Sequence, residues 1–149
     1  MTQQEELFSR FREIEYPYSS ATGRAVGQVL TAMRDDKKVL ALKCPKCGAV
    51  VAPAQDYCDL CSVDMNEWVD VGQEGKVITW AIMRRDVPIY PHKAPFAFAL
   101  IQLDGADVGM VHAILANDYA AIKEGSRVRA VWKDERTGSI RDIDHFELI

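Results

Sequence analysis

Four cysteines are the residues of this sequence whose type and spacing suggest chemistry: Cys44, Cys47, Cys58 and Cys61. They form two C-x-x-C pairs ten residues apart, and Gly48 directly follows the first pair. Zinc prefers four thiolates in a tetrahedral arrangement, and a C-x-x-C turn presents two sulfurs to one ion. Because glycine accommodates the tight bend of such a turn, the pattern predicts a structural zinc site built from two cysteine knuckles.

Other chemistry is compatible with the four thiols. Disulfides would be favoured in a secreted chain, but the N-terminal residues "MTQQEELFSRFREIEY" lack the apolar core of a signal peptide. A redox-active dithiol would need its own strand-to-helix context for each pair. Iron in a rubredoxin-like site stays open, because such knuckles hold either metal. Zinc is the prediction because cysteine pairs in a reducing cytosol persist more often as metal ligands than as disulfides.

Composition limits the function classes. The chain has 149 residues and a formal net charge of −4, with a pI of about 5.4, which argues against a generic nucleic-acid binder. The segment 123–149 carries six basic and six acidic side chains, whereas single-stranded nucleic acid requires a basic groove with stacking aromatic residues. No stretch approaches the roughly 20 apolar residues of a membrane helix. We therefore expect a cytoplasmic protein without membrane or nucleic-acid partners.

Two helices are predicted before the cysteines. Residues 3–15 place apolar side chains at helical spacing, namely Leu7, Phe11 and Ile14. A second helix is predicted from about Thr22, its N-cap, to Arg34. Its apolar face consists of Val26, Val29, Leu30 and Met33. We expect part of this face to dock on a partner, because a small ribbon cannot bury two helices.

The chain after Cys61 is rich in β-strand signals. Strands are predicted at Glu67–Val71, Gly75–Met83, Pro95–Asp104, Val108–Leu115, Ser126–Glu135 and 139–149, with a helical turn within 117–125 and a hairpin loop at 136–138. The run "PFAFALIQLD" is apolar on both faces, which predicts a central, covered strand. Residues 67–83 could form one bent strand or two. Five short strands with one short helical turn between them suggest a small closed barrel of the OB type.

The predicted fold is thus mainly β with N-terminal α-helices, a rubredoxin-like zinc ribbon followed by a small OB-fold β-barrel. We expect an N-terminal helical segment over residues 1–36, the zinc ribbon over 37–66 and the OB-fold domain over 67–149.

The order of these parts resembles a known family. The matching parts are, in chain order, two helices, the cysteine ribbon, "EWVDVGQEGKVITWAI", a proline-bearing loop before "PFAFALIQLDG", "IKEGSRVRAVW" and "RTGSIRDIDHFEL". In this order they resemble the zinc-ribbon/OB-fold acyl-CoA-associated proteins, long catalogued as a domain of unknown function. The resemblance runs from about Tyr18 to the end. The family's usual "PPR" between the cysteine pairs reads "APA" here, at Ala52–Ala54, so no role of a ribbon arginine carries over.

The resemblance implies an accessory subunit without catalysis of its own. Members of the family look like companions of thiolase-type enzymes, including archaeal acetoacetyl-CoA thiolase/synthase assemblies, steroid side-chain aldolases and the thiolase of anaerobic aromatic degradation. It implies that this chain docks on a thiolase-like catalytic subunit as part of a hetero-oligomer and helps to hold the CoA moiety of an acyl-CoA. A single-stranded nucleic-acid-binding module and an iron electron carrier are the alternatives.

Candidate contacts for CoA or the partner lie in a proline-rich loop, residues 84–96. Its cationic side chains are Arg84, Arg85, His92 and Lys93, which would suit CoA phosphates or an acidic partner surface. An ordinary solvated loop is the alternative interpretation. Arg136 is a further candidate for the same contacts, with a simple hairpin turn as its alternative.

The other histidines do not predict catalysis. His112 and His145 lie in predicted strands, where we interpret both as packed or rim side chains. A nucleophilic site needs an activated Ser or Cys beside a base, and all four cysteines are already assigned to the metal.

Overall fold

The computed structural model describes residues 12–149 and shows a mainly β fold with one α-helix. The helix is α1 (Arg24–Asp36), and two short 3-10 helices lie at Tyr119–Ala121 and Ile140–Asp142. The strands are β1 (Leu40–Lys43), β2 (Val50–Val51), β3 (Glu67–Asp70), β4 (Glu74–Met83), β5 (Phe96–Leu103), β6 (Met110–Ile114), β7 (Arg127–Trp132) and β8 (Ile143–Leu148). The predicted fold class is confirmed. Within this part of the chain, no helix has the length and apolar character needed to cross a bilayer.

The first predicted helix, residues 3–15, lies mostly outside the described residues. Its last part, residues 12–15, has no helical structure, and Ile14 is 60% exposed. The prediction of helix at these last positions is therefore wrong.

Helix α1 forms where it was predicted, but its buried face is rotated. The buried side chains are Ala25, Val29, Ala32 and Met33, which recur at helical spacing. Val29 and Met33 of the predicted apolar face are buried, whereas Val26 is 44% exposed. Ala25 and Ala32 are buried although the predicted apolar face did not include them.

The beginning of α1 also differs from the prediction. Its N-cap is Gly23 (φ 77°) and not Thr22, and no side chain of the cap residue bonds the first turn. A ribbon side chain serves instead, since Asp56 Oδ2 accepts from the N–H of Ala25 at 3.4 Å. A hydrogen bond to a residue distant in sequence therefore replaces the predicted bond from a local N-cap side chain.

Residues 67–83 form two strands that lie in different sheets. Strand β3 pairs antiparallel with β1, and β1 also pairs with β2, so a three-stranded sheet carries the cysteines. Strand β4 begins the second sheet. The sequence left the number of strands here open because pairing partners are not visible in a local pattern.

The second sheet is a closed five-stranded barrel with the order β4-β5-β6-β8-β7. All pairs are antiparallel except β6 with β8. Strand β5 is covered along most of its length, as predicted. Strand β4 pairs with both β5 and β7 around Gly75, where a Cβ would collide with the carbonyl group of Gln102. Glycine is therefore required where the barrel closes.

The final strand starts later than predicted. Ser139 caps the 3-10 helix Ile140–Asp142, and β8 begins at Ile143. Buried Asp142 accepts hydrogen bonds from the N–H groups of Thr137, Gly138 and Ser139 at 2.8–3.1 Å. Because this carboxylate organises the preceding turn, residues 139–142 cannot join the strand.

Candidate metal centre

The first cysteine knuckle follows strand β1 directly. Cys44 O accepts from the N–H of Gly48 at 3.0 Å, and the N–H of Cys44 donates to Ala49 O at 2.8 Å. Gly48 has φ 78°, in the left-handed region that glycine enters without steric cost. The glycine that suggested a knuckle in the sequence therefore has the predicted role.

The second knuckle repeats the same pattern without glycine. Cys58 O accepts from the N–H of Ser62 at 2.8 Å, and the N–H of Cys58 donates to Val63 O at 3.0 Å. Ser62 takes the position of Gly48 with φ 52°. The sequence analysis did not single out Ser62, although its place directly after the second C-x-x-C pair could have indicated it.

The two knuckles bring all four sulfur atoms together. Their Sγ atoms lie within 4.8 Å of one another, and Cys47 Sγ is 3.7 Å from Cys58 Sγ. Tetrahedral coordination with Zn–S bonds of about 2.3 Å places sulfur atoms about 3.8 Å apart. The four cysteines are therefore close enough to hold one metal ion. Cys44 and Cys58 are buried, whereas Cys47 is exposed.

The electrostatics of the thiols also suit a cation. The N–H groups of Cys47 and Lys46 donate to Cys44 Sγ and lower the pKa of that thiol to about 6. Burial, together with the neighbouring sulfur atoms, raises the pKa of Cys61 to about 12. Four thiolates this close repel one another unless a cation sits among them. The donor set thus fits a divalent metal ion.

Helix α1 is fixed to the ribbon beside the second knuckle. Arg24 Nη2 lies 2.9 Å from Asp56 Oδ1 and donates to Met65 O at 2.8 Å. The guanidinium also lies 6.0 Å from the ring centroid of Trp68. These contacts make the helix part of the same structural unit as the ribbon.

The proline-rich loop is packed on the barrel, with most of its cations in solvent. Arg84, Arg85 and Lys93 are exposed. His92 turns inward, and its Nε2 lies 3.0 Å from the carbonyl oxygen of Asp144. Tyr90 stacks on Phe96, a core residue of β5, at a centroid distance of 5.2 Å. Of the four candidate contacts for CoA or a partner, three are therefore cations on the surface, and the fourth is a histidine that contacts the barrel.

Arg136 lies at the end of α1. Its Nε donates to Arg34 O at 2.7 Å, and Nη1 donates to the carbonyl oxygens of Lys133 and Asp134 at 2.9 and 3.0 Å. A cation at this end complements the helix dipole. Arg136 thus binds three backbone carbonyls of its own chain, and its contact with CoA or a partner stays a prediction.

His112 is packed inside the barrel wall, as interpreted from the sequence. It is 5% exposed, its Nδ1 accepts from the N–H of Ala113 at 2.9 Å, and its Nε2 lies 3.4 Å from Ile140 O. Burial lowers its pKa. His145 is half-buried on β8.

The arginines of strand β7 are paired with carboxylates. Arg127 contacts Asp104 at 2.6 Å, and Arg129 contacts Glu74 at 2.8 Å. Hydrogen bonds from these arginines lower the pKa of both carboxyl groups. Paired arginines offer little free positive charge to phosphates.

The described residues define a class of protein, a four-cysteine ribbon with a flanking helix joined to an OB-fold barrel. Comparison with known families agrees, since residues 68–133 match the family model OB_ChsH2_C, described as the ChsH2 C-terminal OB-fold domain. The barrel is therefore similar to the OB-fold domain that this model describes.

A relative that matches most of the chain carries the name DUF35. The DUF35 domain-containing scaffold protein of Pyrococcus furiosus is 29% identical over 116 residues, which are 78% of this chain and 80% of that protein. The resemblance named from the sequence is thereby confirmed.

Two solved structures share the fold. A protein of unknown function from the DUF35 family of Sulfolobus solfataricus superimposes with a TM-score of 0.61 and 22% identity, covering 85% of this chain and 84% of that one. The Ltp2-ChsH2(DUF35) aldolase gives a TM-score of 0.62 at 17% identity, covering 87% of this chain and 98% of that one. At these identities both comparisons establish the fold alone.

Proposed function

We propose that this protein is a non-catalytic, zinc-containing accessory subunit of a thiolase-type complex, of either the acyl-CoA C-acyltransferase or the retro-aldol/Claisen kind. One observation carries the proposal. The chain is similar in sequence to a relative named a scaffold protein and similar in fold to a chain of a structure named Ltp2-ChsH2(DUF35) aldolase. In this role the protein docks on the catalytic subunit and helps to bind the CoA moiety.

The zinc ion has a structural role in this proposal. Cys44, Cys47, Cys58 and Cys61 supply all four ligands, so no coordination position stays open for a substrate. Bound zinc would supply folding energy, about 10–16 kcal/mol in small zinc peptides. The cysteines join the end of β1 to the second knuckle, which lies beside Asp56 and its contacts with α1. Metal analysis distinguishes zinc from iron, since a four-sulfur iron site is coloured.

The segment before α1 is the proposed docking element for the catalytic subunit. Ile14, Tyr16 and Tyr18 are 60%, 77% and 88% exposed, and Val26 on α1 is also exposed. Tyrosine is enriched at protein interfaces because its ring buries a large apolar area while its hydroxyl stays hydrogen-bonded. The described part of this segment has neither helix nor strand, so its exposed side chains are available to an enzyme subunit.

The exposed cations of the proline-rich loop are the proposed CoA contacts. Arg84, Arg85 and Lys93 project from a loop whose other side is fixed to the barrel by Tyr90 and His92. A loop held in this way presents charges to phosphates with little loss of conformational entropy. Arginine suits this task because its guanidinium binds phosphate oxygens in pairs.

Reconstitution tests the docking. The tagged full-length protein is purified from its native host, and the thiolase-type subunit that accompanies it is produced separately. We expect C–C-cleaving activity only after mixing, with a stable stoichiometric complex in size-exclusion chromatography. Full activity of the catalytic subunit alone would refute the accessory role.

Variants locate the docking element. We expect Tyr16→Ala combined with Tyr18→Ala to weaken the complex by about tenfold or more, since buried aromatic residues dominate interfaces. Tyr57→Ala is the matched control, because Tyr57 is an exposed tyrosine (62%) on the ribbon. Equal effects of both changes would argue against docking through the N-terminal segment.

A second pair of variants tests the CoA contact. Arg84→Ala combined with Arg85→Ala should raise the KM of the reconstituted complex for acyl-CoA by about tenfold or more, as expected for lost charge-assisted hydrogen bonds. Lys46→Ala combined with Lys123→Ala removes two exposed charges elsewhere and should leave the KM unchanged. An unchanged KM in the arginine variant would assign CoA binding to the catalytic subunit alone.

A further inference from the structure

A second group of metal-ligating side chains lies on the barrel, apart from the four cysteines. It consists of His92 from the proline-rich loop and of Asp144 and His145 from strand β8. Their ligand atoms all lie within 4.8 Å of one another, and all three residues are half-buried. Asp144 Oδ2 is 2.8 Å from His145 Nδ1 and 3.8 Å from His92 Nε2.

An irregularity in strand β8 creates this convergence. Val131 pairs with His145, but the next residue of β7, Trp132, pairs with Ile143. Asp144 is therefore an extra residue without a partner on β7, which is a β-bulge. Consecutive side chains of a regular strand point to opposite faces. The bulge removes that alternation, so Asp144 and His145 direct their polar atoms to the same point.

We propose that His92, Asp144 and His145 form a second binding site for a divalent first-row transition metal ion such as Zn²⁺. Zinc binds imidazole nitrogen and carboxylate oxygen at about 2.0–2.2 Å, so tetrahedral ligands lie roughly 3.4 Å apart. The two measured distances, 2.8 and 3.8 Å, lie on either side of this value. Two imidazoles with one carboxylate are a donor set that zinc and iron both accept.

The surroundings of the three side chains leave a path for a metal ion and include one cation that competes for Asp144. His145 borders a cavity of about 470 Å³ that also contacts Asn117, Asp118 and Glu147, and through which an ion can enter. The competitor is Lys133, whose Nζ lies 4.0 Å from Asp144 Oδ1. It approaches the other carboxylate oxygen, so Oδ2 remains directed toward both histidines.

Metal binding at this site would fasten the proline-rich loop to the barrel. His92 and Asp144 are 52 positions apart in sequence, and the contact already present is the hydrogen bond from His92 Nε2 to the carbonyl oxygen of Asp144. A metal bond in place of this hydrogen bond would restrict the loop further. The inference does not depend on the thiolase-type partner or on the identity of the ribbon metal.

Imidazole NMR signals of the full-length wild-type protein provide the first test. The chain has three histidines, and His112 is an internal control because both of its ring nitrogens are already engaged inside the protein. Zn²⁺ is added after the cysteine site has been filled. We expect the ring signals of His92 and His145 to shift with one further equivalent while those of His112 stay unchanged. No further equivalent, or equal shifts of all three rings, would overturn the proposal.

Variants provide the second test by isothermal titration of the same zinc-filled protein. Asp144→Asn and His145→Gln should lower the affinity for the additional Zn²⁺ by about 100-fold or more, because loss of even an outer partner of a ligand costs about 10–100-fold. Glu147→Gln is the matched control, an exposed carboxylate on the same strand and beside the same cavity. Equal affinities of the Asp144 and Glu147 variants would refute the site.

Discussion

The two knuckles contain a natural matched pair, glycine at one turn position and serine at its equivalent. Gly48 has φ 78° and Ser62 has φ 52°. A Cβ on Gly48 would meet no atom within 4 Å, so Gly48→Ala adds only backbone strain. That strain is about 1–2 kcal/mol for a left-handed residue, and the lower entropy of the unfolded alanine chain offsets about 0.4–1 kcal/mol of it. We expect a net destabilisation of about 1 kcal/mol.

The reciprocal change should act in the other direction. Ser62→Gly removes the strain of a non-glycine residue in the left-handed region but makes the unfolded chain more flexible. The two terms leave a net effect between about 0 and 1 kcal/mol of stabilisation. Gly48→Ala and Ser62→Gly should therefore shift stability in opposite directions, although they change equivalent positions of two similar turns.

Urea unfolding at a fixed free zinc concentration measures both changes, because bound metal adds to the stability of the folded state. In a thermal melt, 1 kcal/mol corresponds to about 2–4 °C for a chain of this size. Gly125→Ala is the control, since Gly125 also has positive φ (81°) and open space around its Cα but lies outside the ribbon. Both alanine variants should lose stability, and only Gly48→Ala should weaken zinc binding. A neutral Gly48→Ala, or a Ser62→Gly that destabilises by more than about 1 kcal/mol, would refute this account of the knuckles.

Three further predictions concern the ribbon and its junction with the barrel. Metal removal by a chelator should expose four reactive thiols, which a thiol titration counts. It should also lower Tm, followed by circular dichroism, by more than about 10 °C, because zinc supplies much of the folding energy of small zinc peptides. An unchanged Tm would contradict a structural metal. Asp142→Asn should cost about 1–3 kcal/mol at neutral pH, because three N–H groups lose a charged, buried acceptor. Although burial opposes it, those N–H groups hold the pKa of Asp142 below its usual value. The stabilisation by Asp142 is thus complete above the unfolded pKa of about 3.9 and is lost as pH falls through the folded pKa. The stabilities of wild type and variant should therefore converge in acid unfolding. Asp59→Asn, a change of an exposed residue, should have nearly wild-type stability at any pH. Arg24→Ala should cost about 0.5–1 kcal/mol of stability through the loss of its exposed ion pair with Asp56 and of its contact with Trp68. A double-mutant cycle with Asp56→Ala measures the coupling energy of the ion pair. A coupling energy of zero would assign the attachment of the helix to apolar packing.

The sequence was most informative where structure depends on neighbouring residues. A C-x-x-C pair with a following glycine forms its turn through hydrogen bonds within six residues, so the knuckle at Cys44–Ala49 could be predicted from its own residues. The continuous apolar run of β5 likewise indicated a covered strand. Both features require only local geometry and the period of side-chain direction.

Predictions failed where a distant contact replaced a local signal. Asp56 accepts a hydrogen bond from the first turn of α1 in place of a cap side chain, and the N-cap is Gly23 instead of the predicted Thr22. Asp142 holds the turn before β8, which shortened the predicted strand. Hydrophobic periodicity contains no information about such polar contacts, since each depends on how separate elements are packed.

By itself the sequence indicated four cysteines as candidate metal ligands, the class of fold and the resemblance to the DUF35 family. These depend on residue types, spacing and order along the chain. Only the tertiary structure assigned β3 to the ribbon sheet, brought Arg136 to the carbonyl oxygen of Arg34 102 positions away and placed His92 beside Asp144 through a bulge. The physical reason is that strand pairing and barrel closure join residues that are far apart in sequence, and their pairing energies depend on all the strands together.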